Sequence, residues 1–245
     1  MRGQQRTDDS DVPCDAGASG PAGAANQGAR PVLVWDLPTR LFHWLTASLI
    51  PAAYVTWRLN WMQWHAWVGD ALLALVLFRL LWGFFGSGTA RFSHFIASPG
   101  RAAMHLAHIL RREPDLEVGH NPAGSWMVVL LLLLLLAQGL TGIFVDNDVA
   151  DVGPLTGLTP APAANLMTAL HDRLLWNALL AAVALHVLAI LAYGLVKRHN
   201  LLLPMITGRK TLPDATAAPR IVPAARALIF LACAAAAAAA LATFL

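Results

Sequence analysis

The stretch "LMTALHDRLLWNALLAAVALHVLAILAYGLV", residues 166–196, decides the fold of this chain. It is almost wholly apolar, yet it carries His171 and, fifteen residues later, His186. An α-helix needs about 20 mostly apolar residues to cross a bilayer. The stretch therefore predicts a membrane-spanning helix long enough to tilt or protrude, with two imidazoles placed where hydrocarbon lies.

The composition of the whole chain agrees with a membrane location. Of its 245 residues, 57% are hydrophobic and only 13% are charged, whereas soluble domains carry about 25% charged residues. The formal net charge is a modest +3. We therefore expect an integral membrane protein in contact with lipid, and no nucleic-acid partner.

The two cysteines do not form a motif for covalently attached haem. Cys14 lies in a polar tail and Cys233 in an alanine-rich segment, and no C-x-x-C-H motif for covalent haem attachment is present.

Residues 1–31 are rich in Gly, Ala, Pro and polar residues, which predicts a disordered tail. The tail has no hydrophobic stretch of the kind a signal peptide needs, so we expect the first apolar segment to be retained as an anchor.

Five segments are long and apolar enough to be interpreted as spans. The fifth is rich in alanine, which is nearly neutral for insertion, so a helix lying at the membrane surface is the alternative there. Pro51 lies inside the first and is tolerated in membrane helices. The predicted spans are 40–58, 65–86, 123–145, 166–196 and 221–245.

The distribution of Lys and Arg predicts the orientation. The tail and the connections between spans two and three and between spans four and five are rich in these residues, whereas the loop 146–165 has none. The amino terminus is therefore expected in the cytoplasm and this loop outside the bacterial inner membrane. Five crossings would then place the carboxyl terminus in the periplasm.

Four histidines lie in or at the ends of the predicted spans: His43, His65, His171 and His186. Ionisable groups inside a membrane are costly and usually functional. Along span four the two histidines are separated by about 22 Å and about 60° of rotation. His171 therefore shares the outer level with His65, and His186 shares the inner half with His43.

Two cross-helix pairs of imidazoles can each ligate a haem iron on both axial faces, which suits electron transfer because no open position remains. Zinc is the rival metal, but each pair lacks the further ligands that zinc prefers. The alternative for each histidine is a polar group that is satisfied by a hydrogen bond to a neighbouring helix.

Haem propionates need cations, and four arginines lie at suitable levels. Arg79, about 21 Å along span two from His65, and Arg40, one turn before His43, lie near the inner pair. Arg58 and Arg173 lie at external helix ends near the outer pair. Snorkelling to the membrane surface is the alternative for all but Arg79.

The other histidines give weaker signals. His120 opens "GHNPAG", where a helix begins, and could reach an inner haem propionate or a quinone head group. His105 and His108 lie in "RAAMHLAHILRR", which is typical of a short amphipathic helix on the membrane surface. We assign no role to His94, His105 or His108.

The fragments "VWDLPTRLFHW", "HAWVGDALLALVLFRLLWGFFG", "RFSHF", "GHNPAG" and "HDRLLWNALLAAVALHVLAILAYGLVKRHNLLLPMITGRK" together resemble the bacterial cytochrome b561 family. The resemblance is to the branch that includes b-type cytochrome subunits of nickel–iron hydrogenases. It covers about residues 31–210 and implies a four-helix bundle with two b haems. The ligands it implies are His43 with His186 and His65 with His171.

The resemblance divides the chain into a tail at 1–31, a diheme transmembrane domain at 32–210, and a linker with an extra helix at 211–245. The leading hypothesis is an all-α membrane diheme cytochrome that carries electrons between the quinone pool and a periplasmic redox protein, such as a hydrogenase or a cytochrome c. It would be the electron-transfer subunit of an oxidoreductase, with no catalytic residue of its own. The alternative is a haem-free transporter or anchor that uses its histidines as a proton relay.

Overall fold

A computed structural model describes residues 28–108, 116–146 and 153–243 of the chain. Most of the predicted tail, including Cys14, lies outside the described residues, and so do Arg111 and Arg112 of the basic connection. All nine residues that the sequence analysis assigns to haem binding are described.

The described chain is mostly helical, which confirms the predicted helical membrane bundle. Helix α6, Ala161–Ala169, and helix α7, Trp176–Ala192, join into one continuous helix, Ala161–Lys197. A π-helical segment at Leu170–Leu175 connects them, and a second π segment follows at Tyr193–Lys197. We call this continuous helix the α6–α7 helix. The α-helices are α1 Leu37–Arg58, α2 Met62–Phe85, α3 Phe92–Phe95, α4 Pro99–Ala107, α5 Pro122–Gly142, α6 Ala161–Ala169, α7 Trp176–Ala192, α8 Leu202–Thr207 and α9 Ala225–Thr243.

Within the described residues, four helices have the length and composition to cross a membrane: α2, α5, the α6–α7 helix and α9. The predicted span at 40–58 is not among them, although α1 is 22 residues long. His43, Thr46 and Pro51, together with arginines near both ends of α1, lower its mean hydropathy. The alanine-rich α9 meets the criterion because its residues are almost uniformly apolar.

A small antiparallel ribbon accompanies the helices. Strand β1, Ala29–Leu33, pairs with β2, Arg209–Pro213, so that Ala29 lies opposite Pro213. Val32 and Leu212 are buried together with Val34 and Trp35, and this apolar contact, added to the ladder of hydrogen bonds, orders both segments. The predicted boundaries at 31 and 210 therefore fall inside the ribbon, and residues 29–31 belong to a strand.

The ribbon defines one end of the bundle. We call this the ribbon end, where α1, α5 and α9 begin and α2 and the α6–α7 helix finish; the opposite end, with the α1–α2 turn and the loop before α6, is the loop end. Both Val34 and Trp35 donate their backbone N–H to the carbonyl of Gly208. Gly208 has φ +81°, and a Cβ there would lie 2.7 Å from the carbonyl oxygen of Trp35, so only glycine fits.

The centre of the bundle is formed by α2, α5 and α7, where Val76, Leu135 and Leu179 are buried against one another. Helix α9 packs along the other side of α2, where Ala227 and Ala234 are buried with Phe78 and Trp82. Small residues on α9 allow the two helices to approach closely, as is usual between membrane helices. The carboxyl-terminal helix is therefore part of the bundle.

Candidate functional site

The structure brings the four predicted histidines together as two pairs. The rings of His43 on α1 and His186 on α7 have centroids 6.3 Å apart, and those of His65 on α2 and His171 are also 6.3 Å apart. We call the first the ribbon-end pair and the second the loop-end pair. A bond from a metal ion to an imidazole nitrogen is about 2 Å long, so one metal atom between two facing rings separates their centroids by roughly 6 Å. Both pairs match this spacing.

Both rings of the loop-end pair are held by backbone carbonyls. His65 Nδ1 lies 2.9 Å from the carbonyl oxygen of Ala53, and His171 Nδ1 lies 2.9 Å from that of Gln138. A carbonyl only accepts, so each Nδ1 carries the hydrogen and donates. The lone pair of each neutral ring is then on Nε2, which is the arrangement that protein histidines show when they ligate a metal.

The π segment that begins at Leu170 carries His171. A π turn accommodates about one extra residue, so it rotates everything after it by roughly 100° relative to a regular α-helix. In a regular α-helix, His171 and His186 would be separated by about 60° of rotation. With the π turn between them, they are separated by about 40° in the opposite direction. Both histidines of the α6–α7 helix therefore face the same side of the bundle.

The ribbon-end pair has a different environment. His43 Nδ1 is buried and has no hydrogen-bond partner among the described residues, and the same holds for Arg40 Nε, Arg79 Nη1 and His120 Nδ1. Buried polar groups are nearly always hydrogen-bonded, and each orphan costs free energy. Four orphaned nitrogens at one end of the bundle indicate a missing acceptor, which an anionic group would supply.

Arg79 is a buried cation at the ribbon end, where the anionic group would bind. Only 2% of its surface is exposed, and its Cζ atom lies 5.3 Å from the centre of the Phe92 ring and 6.0 Å from that of Phe95. These aromatic rings stabilise the charge from one side. A guanidinium so deep in an apolar bundle is costly without an anion, and the charge of Asp36 supplies part of this compensation.

His120 lies beside Arg79 in an aromatic pocket. Its ring is 4.6 Å from Trp35 and 4.5 Å from Phe95. Burial, reinforced by the positive charge of Arg79 and by the rings of His186 and His43, lowers the pKa of His120 to about 3. His120 is therefore neutral at physiological pH and can donate or accept a hydrogen bond next to the ribbon-end pair.

Sequence reasoning missed Asp36, which organises this end of the bundle. Asp36 is buried; its Oδ1 accepts from the backbone N–H of Thr39 and its Oδ2 accepts from Trp82 Nε1. The carboxylate thus begins α1 and ties it to α2, and its charge acts on Arg79. The signal in the sequence is an Asp just before Leu-Pro, which is typical of a helix start.

The other three arginines differ in burial. Arg40 Nη1 donates to the carbonyl of Ile206 in α8, 2.5 Å away, so one face of this guanidinium is already used. Arg58 is exposed, with its Cζ atom 5.7 Å from the centre of the Trp57 ring, and Arg173 is exposed in the π segment. Arg58 and Arg173 lie at the level of the loop-end pair. Snorkelling of their side chains to the membrane surface explains their exposed positions as well as a contact with haem propionates would.

Two glycines shape the space beside the loop-end pair. A Cβ on Gly142 would lie 2.9 Å from His171 Cε1, so this histidine can occupy its position only because residue 142 lacks a side chain. Gly69 lies one turn after His65, and a Cβ there would meet nothing within 4 Å. Open space therefore adjoins the pair on the face of α2 that carries His65.

Three further histidines lie in or next to the short helices α3 and α4. His94 is exposed on α3, and His108 ends α4. His105 contacts Tyr193 on the α6–α7 helix and so faces the bundle. Within the described ranges, no three side chains of His, Cys, Asp or Glu come together as a metal site.

The comparison with protein families decides the identity. A sequence profile described as prokaryotic cytochrome b561 matches residues 34–208. The chain belongs to this family. It is therefore a multi-pass membrane b-type cytochrome that acts in electron transfer, and the resemblance inferred from the sequence is confirmed.

Two relatives carry the same description, probable Ni/Fe-hydrogenase B-type cytochrome subunit. The protein of Bradyrhizobium diazoefficiens is 25% identical over 230 residues, which cover 80% of this cytochrome and 93% of the relative. That of Rhizobium leguminosarum bv. viciae is 23% identical over 216 residues, which cover 75% and 90%. No solved structure matches the chain.

The donor set fits the b haem that this family implies. The chain offers imidazoles in facing pairs, with buried nitrogens that lack a partner among the described residues and a buried cation beside one of them. It offers neither clustered thiolates nor carboxylates within the described residues. An iron porphyrin held by two imidazoles needs the nitrogen donors that the chain offers, and it needs no thiolate or carboxylate ligand.

Proposed function

We propose that this cytochrome binds two b haems, one held by the ribbon-end pair and one by the loop-end pair, and carries electrons between a redox protein outside the membrane and the quinone pool. The observation that carries the proposal is the repeated ring separation of 6.3 Å in two cross-helix histidine pairs. The pairs lie about 22 Å apart along the α6–α7 helix, so together they extend across most of the hydrocarbon core.

The imidazoles of the two pairs would hold the haem irons, and bound haem would supply one-electron exchange. His65 and His171 are already oriented by Ala53 and Gln138, so the loop-end ligands need little rearrangement on binding. Arg79, Arg40 and His120 would hold the propionates of the ribbon-end haem with their orphaned N–H groups. Arg58 and Arg173 would serve the loop-end haem.

The cations of the chain support an orientation with the ribbon end in the cytoplasm. The ribbon end carries Arg40, Arg101, Lys197, Arg198 and Lys210, whereas Arg58 and Arg173 mark the loop end. Positive residues accumulate on the cytoplasmic side of membrane proteins. The loop-end haem would then exchange electrons with a periplasmic partner.

The partner that we propose is a hydrogenase, because both similar proteins are described as probable hydrogenase cytochrome subunits. A cytochrome c or another oxidoreductase would meet the same haem at the loop end. The quinone would exchange electrons with the ribbon-end haem.

The first experiment measures haem per polypeptide on detergent-purified protein by pyridine haemochrome, with reduced-minus-oxidised spectra. Two low-spin b haems per chain are expected. One haem would contradict one of the two pairs. No haem after expression with adequate haem supply would overturn the proposal and favour the proton-relay transporter.

A further inference from the structure

Two reciprocal hydrogen bonds join Gln138, near the end of α5, to His171 of the loop-end pair. The side chain of Gln138 donates from Nε2 to the backbone carbonyl of His171, 3.1 Å away. In return, His171 Nδ1 donates to the backbone carbonyl of Gln138, 2.9 Å away. We call these two bonds the Gln138 clamp. The ring and the backbone of His171 are therefore both attached to one turn of α5.

The orientation of the Gln138 amide follows from its contact. Turning a side-chain amide over exchanges its donating nitrogen and its accepting oxygen. A carbonyl only accepts, so Nε2 must face His171. Gln138 Oε1 is then buried and has no hydrogen-bond partner among the described residues. An unpaired buried acceptor lowers stability, so the contribution of this amide lies in its donor.

The backbone at His171 is a place where such a donor is needed. His171 is the second residue of the π segment Leu170–Leu175. A π turn replaces the i→i+4 bonds of an α-helix by i→i+5 bonds, and backbone groups disturbed in this way inside a membrane are satisfied by neighbouring helices because lipid offers no partner. Gln138 supplies a donor from α5. The clamp therefore stabilises the π turn at the residue that carries the imidazole.

Thr141 reinforces the orientation of the ring. Its Oγ1 lies 3.4 Å from His171 Nδ1. The single hydroxyl hydrogen has two carbonyls within reach, that of Ala137 at 2.8 Å and that of Gln138 at 3.1 Å, so Thr141 presents a lone pair to the imidazole. Both groups facing Nδ1 accept. His171 therefore keeps its hydrogen on Nδ1 and its lone pair on Nε2.

The partner ring of the pair is held differently. His65 Nδ1 bonds to the carbonyl of Ala53. The backbone of His65 belongs to the first turn of α2, where its N–H donates to the carbonyl of Trp61 at 2.9 Å. One histidine of the loop-end pair thus lies in a regular helix, and the other lies in a π turn that is bonded to a second helix. Loss of the Gln138 donor should affect His171 and leave His65 in place.

We propose that Gln138 is a positioning residue for the loop-end haem, because it holds the π turn and the ring of His171 so that Nε2 faces the centre of the pair. Gln138 acts through His171. The assignment rests on the proposed binding of two haems, to which it adds a residue that sets the affinity and the potential of one of them. Groups that orient a ligating histidine typically change metal affinity by about 10–100-fold.

The test replaces Gln138 by Met, which preserves the length of the side chain and removes its donor. Because Oε1 has no partner among the described residues, no other described hydrogen bond is lost. In a His186→Ala background only the loop-end pair remains intact. Titration of the haem-free chain with haemin in detergent should then show an affinity about 10-fold weaker for Gln138→Met.

Two controls accompany this titration. In a His65→Ala background, which keeps the ribbon-end pair, Gln138→Met should bind haemin as its parent does. Leu134→Met lies one turn earlier on α5 and packs against the central cluster of Val76, Leu135 and Leu179. This volume-conserving change should leave both affinities at the wild-type value.

Potentiometric titration of the chain with all four histidines gives a second measurement. Loosening the Nδ1–H bond makes the imidazole a weaker donor to iron, so Gln138→Met should raise the potential of the loop-end haem and leave the ribbon-end haem unchanged. Unchanged loop-end affinity and potential would overturn the positioning role. Equal losses at both haems would also overturn it, because a general loss of packing affects both.

Hydrogen exchange of the haem-free chain, followed by mass spectrometry, tests the clamp without haem. The amides of 170–175 should exchange faster in Gln138→Met than in Leu134→Met, and equal exchange would contradict the clamp. A wild type that takes up no haem at the loop end refutes the two-haem function itself. The exchange difference then decides whether Gln138 holds His171.

Discussion

The two histidine pairs have the same ring separation but opposite surroundings. At the loop end, carbonyls of Ala53 and Gln138 hold both rings, and the nearby arginines are exposed. At the ribbon end, His43 Nδ1 has no partner among the described residues, and the surroundings contain the buried Arg79 and the half-buried His120, whose pKa is low. One pair is oriented by hydrogen bonds to carbonyls, and the other lies beside a buried cation and nitrogens without a partner among the described residues.

This difference would give the two proposed haems distinct properties. Haem potential depends on burial, net charge and second-shell hydrogen bonds rather than on ligand type alone. An N–H bond to a carbonyl makes the imidazole a stronger donor, which stabilises the oxidised iron. A buried cation stabilises the reduced iron. We therefore expect the loop-end haem to have the lower potential, so that electrons move readily from the loop end to the ribbon end.

The largest effect is expected from removing one ligand of each pair. His65→Ala and His186→Ala should each reduce the haem content from two to one per chain, and each should remove a different component of the reduced-minus-oxidised spectrum. The measurement is pyridine haemochrome with a redox titration. His94→Ala, at an exposed position on α3, is the control. Retention of both haems in either variant would refute the pairing.

A smaller but selective effect is expected at Gly142. Its new methyl group in Gly142→Ala would lie 2.9 Å from His171 Cε1, and such overpacking typically costs about 1–3 kcal/mol. The loop-end haem should be lost at least in part, with the ribbon-end haem intact, when the two are titrated spectroscopically. Gly194→Ala is the matched control, because its added Cβ meets nothing within 4 Å. Equal haem content in the two variants would contradict the role of Gly142.

Arg79→Leu should change the potential of one haem only. A unit charge about 8 Å away is worth ~2 kcal/mol at an effective dielectric constant of about 20, which is ~90 mV for one electron. The ribbon-end haem should therefore shift to a lower potential by on the order of 100 mV in a potentiometric titration. Arg58→Leu, at an exposed cation, should shift the loop-end haem by much less. An unchanged potential of the ribbon-end haem would mean that Arg79 contributes only to packing.

The smallest effect is the dependence of stability on pH through His120. Its pKa is about 3 in the folded chain, against about 6.5 when unfolded. Between these values only the unfolded chain gains the proton, so stability is complete above pH 6.5 and falls as the pH drops, by up to ~1.4 kcal/mol per unit. Thermal unfolding followed by circular dichroism should show a loss of ~2 kcal/mol from pH 7 to pH 5, and a smaller loss in His120→Gln. A wild type and a variant with the same pH dependence would show that another group causes the loss.

The sequence alone predicted the membrane bundle and the two histidine pairs because both depend on local regularities. An apolar run of about 20 residues spans a bilayer wherever it occurs, and the fixed rise of a helix converts spacing into depth. His171 and His186 could therefore be assigned to different levels, and Arg79 to the level of His43, before any contact was known.

Only the tertiary structure placed groups that are distant in the sequence and carry no periodic signal. The ribbon joins residues 29–33 to 209–213, and Asp36 ties α1 to α2 through Trp82. The contact between His105 and Tyr193 joins a short surface helix to the longest span. Hydropathy sets which segments enter the membrane, whereas helix rotation, burial and hydrogen-bond partners are decided by packing, which the pattern of one segment does not contain.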